Sequence, residues 1–244
     1  MAARSAKRSP SAPRLARAIR EAILRGVYPA GVKLRQEELA ASLGCSVIPL
    51  REALHTLASE GLVEFVPNRG ARVRPISSKE MREMAEVRSA LAAQGIRQAW
   101  PNMKPATLVK ARAIVLRMEK ARDPLVRVRL YADFHEAILA PAGRPYLVAT
   151  IRGIILSGLR YMPAWLEAWA ATGVASPPGF TPVLDALEQG DLADALLHLQ
   201  RVWGEQEGML ADFLERREKQ SAAKTRKRGP NRRDATAGPG RDRA

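Results

Sequence analysis

The sequence predicts a mainly α-helical chain of two domains: an N-terminal winged helix-turn-helix, built of three helices plus a β-hairpin wing, followed by an all-α helical bundle. Three observations predict it. Residues 31–73 compress a helix, a tight turn, a second basic-tipped helix and a Gly-containing hairpin into one short stretch. From residue 78 to about 217, apolar residues recur at helical spacing, with none of the alternation of a strand. The 244 residues carry 40 Lys and Arg against 25 Asp and Glu, a formal net charge of +15, which favours polyanionic partners.

Residues 1–12 read as a disordered basic arm, too poor in apolar mass to pack. Residues 13–75 form the first domain. Leu15, Ile19, Ile23 and Leu24 give its first helix a buried stripe that ends near Gly26. A short second helix runs from Gln36 to Leu43 and stops at Gly44. Ser46 is placed to cap the third helix through its hydroxyl, and Pro49 is tolerated there because the first turn has N–H groups without an intrahelical acceptor. That helix reaches about Ser59 with Leu50, Leu54 and Leu57 inward. Residues 62–66 and 71–74 flank the turn Pro67-Asn68-Arg69-Gly70 and read as a two-stranded hairpin, the wing.

Pro75 ends the wing, and Ser77-x-x-Glu80 is a capping box that opens a new helix, so the domain boundary falls here. Residues 76–218 then read as a bundle of roughly six helices. Its stripes are Met84, Arg88, Leu91 and Gly95; Leu108, Ala111, Val115 and Met118; and Val128, Tyr131, His135 and Ile138. Gly190-Asp191 ends one helix and caps the next, which carries Leu192, Leu196, Leu199, Trp203, Leu210 and Phe213. Residues 219–244 read as a disordered basic tail with nine Lys and Arg against Asp234 and Asp242. The tail is read as a solvated end, with added nonspecific DNA affinity as the alternative.

Composition excludes several classes. A single cysteine, Cys45, rules out an internal disulfide framework. No apolar run approaches the ~18 residues of a membrane-spanning helix; the richest stretch, residues 146–162, is broken by Arg152, Gly153 and Arg160. A soluble, cytoplasmic, nucleoid-associated protein without a membrane partner is expected. There is no Gly-rich phosphate loop, nucleophile elbow, HExxH or CxxC, and three histidines leave little for acid/base chemistry. No enzyme is expected; a metal-dependent hydrolase built on the His135 region is the least implausible one.

A helix-turn-helix of this build has one common use, placing its second helix in the major groove of double-stranded DNA while the wing reaches the neighbouring backbone. The candidate contacts are Arg35, then Ser46, Val47, Ile48 and Arg51 at the start of the third helix, and Asn68, Arg69 and Gly70 at the wing tip. An Arg clamps a guanine edge or a phosphate with a fork that Lys cannot match. The bland alternative for Arg51 is an ion pair with Glu52 or Glu60. An architectural protein that binds DNA by charge alone, without operator preference, is the rival reading.

The chain resembles the GntR family of bacterial transcription regulators. The resemblance is carried by Pro29-x-Gly31-x-x-Leu34, Glu38-Leu39-Ala40-x-x-Leu43-Gly44, Ser46-x-x-Pro49-Leu50-Arg51-Glu52-Ala53-Leu54, Leu57-x-x-Glu60-Gly61-Leu62-Val63 and Pro67-x-Arg69-Gly70-x-x-Val73. The second half is similar to the helical effector domain of the FadR-like subfamily, called FCD, through Glu86-Val87-Arg88-x-x-Leu91 and Phe134-His135-x-x-Ile138-Leu139-x-x-Ala142-Gly143. The resemblance implies a homodimer on a pseudo-palindromic operator, most naturally a repressor, controlled by a small metabolite in the bundle. It departs at Val47, where most relatives carry an Arg; Val offers only apolar contact, for example to a thymine methyl.

Many FCD domains hold a divalent ion with an Asp and three His. The corresponding positions here are Tyr131, His135, Phe180 and Val202, so three of four ligands are gone. Asp133 lies about 200° from His135 around a helix and points elsewhere, and His198 is one turn from the expected place. No metal and no other cofactor is therefore expected. His135 then reads equally as a hydrogen-bonded core residue or as an effector contact. Arg88 sits in an apolar stripe, where a guanidinium is costly without an anion. It meets either the carboxylate of an effector, as the resemblance implies, or an internal bundle carboxylate. Arg88, Tyr131 and His135 together point to an organic-acid-like effector.

Overall fold

A computed structural model describes residues 10–173 and 179–228. The first nine residues of the expected arm, positions 174–178 and residues 229–244 of the expected tail lie outside the described residues.

Helix α1 (Ala12–Leu24) opens with Pro13 in its first turn and buries Leu15, Ala16, Ile19, Ile23 and Leu24. Helix α2 (Gln36–Leu43) stops at Gly44, whose φ of 63° is the left-handed conformation that closes a helix at least cost in glycine. Helix α3 (Val47–Ser59) packs on α1 through Leu50, Ala53, Leu54 and Leu57, all at 0% exposure. Burying each of the three leucines stabilises the domain by roughly 1.5–3 kcal/mol. Ser46 stands at the N-cap of α3, but its hydroxyl makes no capping hydrogen bond.

The wing has three strands. Strands β2 (Val63–Val66) and β3 (Gly70–Val73) form the expected hairpin, and β1 (Lys33–Leu34) adds to the other side of β3, giving the antiparallel order β1-β3-β2. Leu34 pairs with Ala71 and Val63 with Val73. Leu34, Val63, Ala71 and Val73 are buried in the same cluster as α1 and α3.

The second domain holds α4 (Ser78–Ala99), α5 (Pro105–Lys120), α6 (Pro124–Leu139), α7 (Pro145–Gly158), α8 (Met162–Ala170), α9 (Thr181–Glu188) and α10 (Leu192–Arg228). Among the described residues seven helices stand where roughly six were expected, and α7 and α8 are separated by a single 3-10 turn, Leu159–Tyr161. Helices α5, α6 and α7 each begin on a proline, which is preorganised for the first helical position and lacks only an N–H that has no acceptor there. Helix α10 runs ten residues beyond Glu218, where the sequence pattern ends the domain. Glu218 itself accepts hydrogen bonds from the Ser78 amide and hydroxyl, both at 2.8 Å, and so ties α10 to the N-terminus of α4.

The two domains share buried surface. Leu125 and Leu159 of the bundle belong to the core of the first domain. Arg25 reaches Asp123 at 3.3 Å. A Cβ on Gly61 would meet Ser157 Cβ at 3.0 Å, so the chain passes close to α7 there.

Candidate functional site

The outer face of α3 is bare. Ser46, Ile48 and Arg51 are exposed, Ile48 at 74% and Val47 at 39%. Arg51 has no carboxylate within ion-pair distance among the described residues. Glu60, one of its possible partners, is held instead by Arg20 through contacts of 2.6 and 2.8 Å. His55, absent from the contacts expected on sequence grounds, lies one turn beyond Arg51 and stacks on Phe65 of β2 with ring centroids 4.5 Å apart. The contact fastens α3 to the wing. The spacing Val47, Arg51, His55 was the available signal.

At the wing tip Asn68 takes φ 57° and Gly70 φ 78°, leaving Arg69 exposed. Behind it Arg72 bridges across strands to Glu64 at 2.5 Å. Arg35 pairs with Glu38 at 2.8 Å, both side chains 68% exposed. The hydrogen bond and charge of Glu38 raise the Arg35 pKa, yet an exposed pair of this kind leaves the cation available to a phosphate.

The second domain holds a cavity of about 240 Å³, partly open to solvent, between α4, α5, α6, α7, α8 and α10. Arg88 and Tyr131 line it. Arg88 forms an ion pair with Glu207 of α10, and its guanidinium lies 5.0 Å from the Trp203 ring and 5.9 Å from Tyr131. Of the two partners open to Arg88, the internal carboxylate is thus present in the fold. His135 does not line the cavity, contrary to its expected place beside Arg88. It is 3% exposed, donates from Nδ1 to the Tyr131 carbonyl at 2.8 Å and stacks on Trp203 at 5.7 Å. Its Nε2 has no partner among the described residues. Burial pushes its pKa down to about 3, assisted by Arg88 and opposed by the Tyr131 carbonyl. The imidazole is neutral. Burial also raises the Tyr131 pKa, against the charge of Arg88.

A polar chain joins this cavity to the wing. Arg160, whose side chain is 0% exposed, meets Glu80 at 2.5 Å, donates to the Pro75 and Ser157 carbonyls, and approaches Met84 Sδ at 4.0 Å. Glu80 also accepts from Arg74, at the end of β3, at 2.8 Å and from the Tyr161 hydroxyl at 3.0 Å. Burial works to raise the Glu80 pKa, but Arg160, Tyr161 and Arg74 outweigh it and hold the carboxyl below its ordinary value. Met84 and Tyr161 line the cavity. The capping box is therefore half formed. Ser77 accepts from the Glu80 amide at 3.1 Å, while the Ser77 N–H goes to Tyr161 at 3.3 Å.

Comparison with known proteins agrees with this geometry. Residues 12–73 match the model of bacterial regulatory proteins of the gntR family, and residues 83–204 match the FCD domain. The chain belongs to the GntR family. It is 30% identical over 174 residues, 69% of this chain and 75% of the relative, to a protein of Paenarthrobacter nicotinovorans that carries the name of a probable D-xylose utilization operon transcriptional repressor. It is 30% identical over 154 residues, 59% of this chain and 69% of the relative, to the repressor GlaR of Escherichia coli. The solved structure of E. coli McbR/YncC superposes with a TM-score of 0.60 at 19% identity, covering 82% of this chain and 97% of that one, which speaks for the fold.

As a GntR regulator with an FCD domain the protein is a DNA-binding transcription factor; the family and the named relatives are regulators, not enzymes. Among the described residues no helix is long and apolar enough to cross a membrane. Of the four positions that the FCD resemblance aligns with metal ligands, three carry rings here and the fourth is Val202. Tyr131, His135 and Phe180 meet at centroid distances of 4.4 to 6.1 Å, and Trp203 rather than Val202 closes the cluster. Among the described residues no three His, Cys, Asp or Glu side chains are grouped to hold an ion. His198 pairs with Asp194 at 3.3 Å, away from the cluster.

Proposed function

We propose that this GntR-family protein is a cytoplasmic, nucleoid-associated repressor that reads a pseudo-palindromic operator as a homodimer, with its affinity set by a small anionic metabolite in the FCD cavity. The first turns of α3 carry the reading. Val47 and Ile48 expose apolar surface next to an Arg51 without a carboxylate among the described residues, which suits apolar contact with thymine methyls and a fork to guanine or phosphate. Arg69, Asn68 and Gly70 of the wing, and Arg35 before α2, add backbone contacts. Both named relatives that support it are called repressors. One such module reads one half-site, so two copies are needed for a palindrome.

The cavity supplies the control. Its wall is joined to the wing through Met84, Tyr161, Arg160, Glu80 and Arg74, so that an occupant pressing on Met84 or Tyr161 shifts the groups that hold β3. Footprinting of DNA upstream of the protein's own gene tests the proposal. The expected result is a protected stretch with two half-sites spaced by about 10–10.5 base pairs or a multiple, lost on R51A. Uniform coverage without preference would instead support an architectural protein.

A further inference from the structure

The cavity also carries information about the chemistry of its occupant, an inference that rests on the reading of that cavity as the effector site. Five charged side chains line it: Arg88, Arg122, Arg127, Glu119 and Glu207. Arg88 and Glu207 neutralise one another. Glu119 is engaged by the Thr181 hydroxyl at 3.1 Å. Neither Arg122 nor Arg127 has a carboxylate within ion-pair distance among the described residues. Asp123, their neighbour in sequence, is turned to the Leu125 amide at 2.9 Å and to Arg25. Arg127 is half-buried, and burial lowers its pKa against the more distant pull of Glu119. Arg122, an exposed residue, also lines the cavity, where α5 passes into α6. Three arginines against two glutamates leave the lining with a net positive charge, and the two arginines without an ion-pair partner among the described residues, Arg122 and Arg127, lie at that junction.

Apart from Gln206 and the Tyr131 and Tyr161 hydroxyls, the rest of the wall is apolar and yielding. Met81, Met84, Met118 and Met162, four of the seven methionines in the chain, line it together with Trp165 and Phe180. Methionine adapts to irregular apolar shapes and favours aromatic rings. A sugar acid or a polycarboxylate would need more polar partners than Gln206, Tyr131 and Tyr161 supply among these thioethers, and leaving its hydroxyls or extra charges unpaired is costly. The volume of about 240 Å³ falls below the roughly 300–1,000 Å³ of sites for drug-sized ligands, so the occupant is small.

We infer that the cavity takes a small amphipathic monoanion, a single carboxylate seated by Arg122 and Arg127 with an aliphatic or aryl body among the four methionines. Arg88 is then a wall element that shapes the floor of the site with Glu207 and Trp203, and the anion is held away from the place where the sequence put it.

Calorimetric titration of the full-length protein tests this with octanoate and phenylbutyrate against octanamide, which keeps the chain and loses the charge, and citrate, which is polar and polyanionic. Octanoate and phenylbutyrate are expected to bind saturably, octanamide about tenfold or more weakly, the cost of one hydrogen bond to a charged group, and citrate less well than either acid. The double variant R122A/R127M should reduce octanoate to the level of octanamide and leave octanamide unchanged. Equal affinity for octanoate and octanamide, preference for citrate, or no binding of either apolar acid at millimolar concentration overturns the inference. Footprinting separates it from the regulatory reading. Acids that bind as expected but leave the footprint unchanged sink the effector role and keep the site; citrate that alters the footprint while octanoate does nothing does the reverse.

Discussion

Arg160 and Glu80, eighty residues apart in the chain, meet at 2.5 Å where the wing joins the helical domain, and the arginine is fully enclosed. Around this pair are gathered Pro75 and Ser77 of the interdomain connection, Arg74 of the wing and Tyr161 of the 3-10 turn before α8. A buried guanidinium is stable only while its carboxylate stays, since a lone buried charge costs several kcal/mol.

The variant E80Q removes that charge with little change of shape. It should lower the unfolding free energy by about 3–5 kcal/mol, measured by urea denaturation of the full-length protein. E80Q/R160M, which withdraws both charges, should recover most of the loss. An E80Q protein as stable as the wild type would remove the pair from the framework of the interface.

The buried imidazole of His135 gives the fold a pH dependence of known sign. In the folded protein its pKa is about 3, against 6.5 in the unfolded chain. Above pH 6.5 both states are neutral there and the group contributes nothing. Below it the unfolded chain takes up a proton that the folded one refuses, so stability falls until pH reaches about 3. The slope is about 1.4 kcal/mol per pH unit, or roughly 2 kcal/mol between pH 6.5 and 5. Wild type should lose that much more than H135Q over this interval in urea titrations; parallel losses would show that the ring is accessible to protons.

Much of this is legible in the sequence, and the exceptions share a cause. Gly44 and the Pro67–Gly70 turn announced their elements because glycine and proline act on the backbone locally. Strand β1 did not, since Lys33 and Leu34 are too few to alternate and pair only because β3 is waiting. In the sequence Arg160 is merely an interruption of an apolar stretch; that it is the buried half of an ion pair depends on Glu80, which the capping-box pattern already claims. The partner of Arg88 was likewise hidden, because Glu207 lies on the last helix and no local pattern links the two. Helix α10 continues past Glu218 through residues whose charged composition alone suggested a tail.

Gly95 offers a test of packing. It belongs to the apolar stripe of α4, and an added Cβ would lie 2.7 Å from Leu139 Cδ2 and 3.1 Å from Leu147 Cδ2. Both are side-chain ends, so they can shift, but Leu139 is 1% exposed and tightly held. G95A gains helix propensity worth about 1 kcal/mol and incurs overpacking of roughly 1–3 kcal/mol. The net expectation is a modest destabilisation and a lower Tm. A raised Tm would mean that α4, α6 and α7 part more easily than their contacts indicate.

Arg51 and Arg69 should fail in different ways, and the difference decides what each does. Arg51 stands in the part of α3 proposed to meet base edges, and R51A is expected to weaken operator binding by about 1–3 kcal/mol and to relax discrimination among sequences. Arg69 stands at the wing tip with no carboxylate partner among the described residues, and the contact proposed for it is to backbone phosphate. R69A should therefore weaken operator and random duplex alike and reduce the slope of log affinity against log salt by about 1. Both side chains are exposed, so neither change should alter the Tm. Gel-shift titrations of operator and scrambled duplex at several salt concentrations make the distinction. A salt slope unchanged in R69A would take the wing off the backbone, and retained sequence preference in R51A would move base reading to Val47, Ile48 and His55.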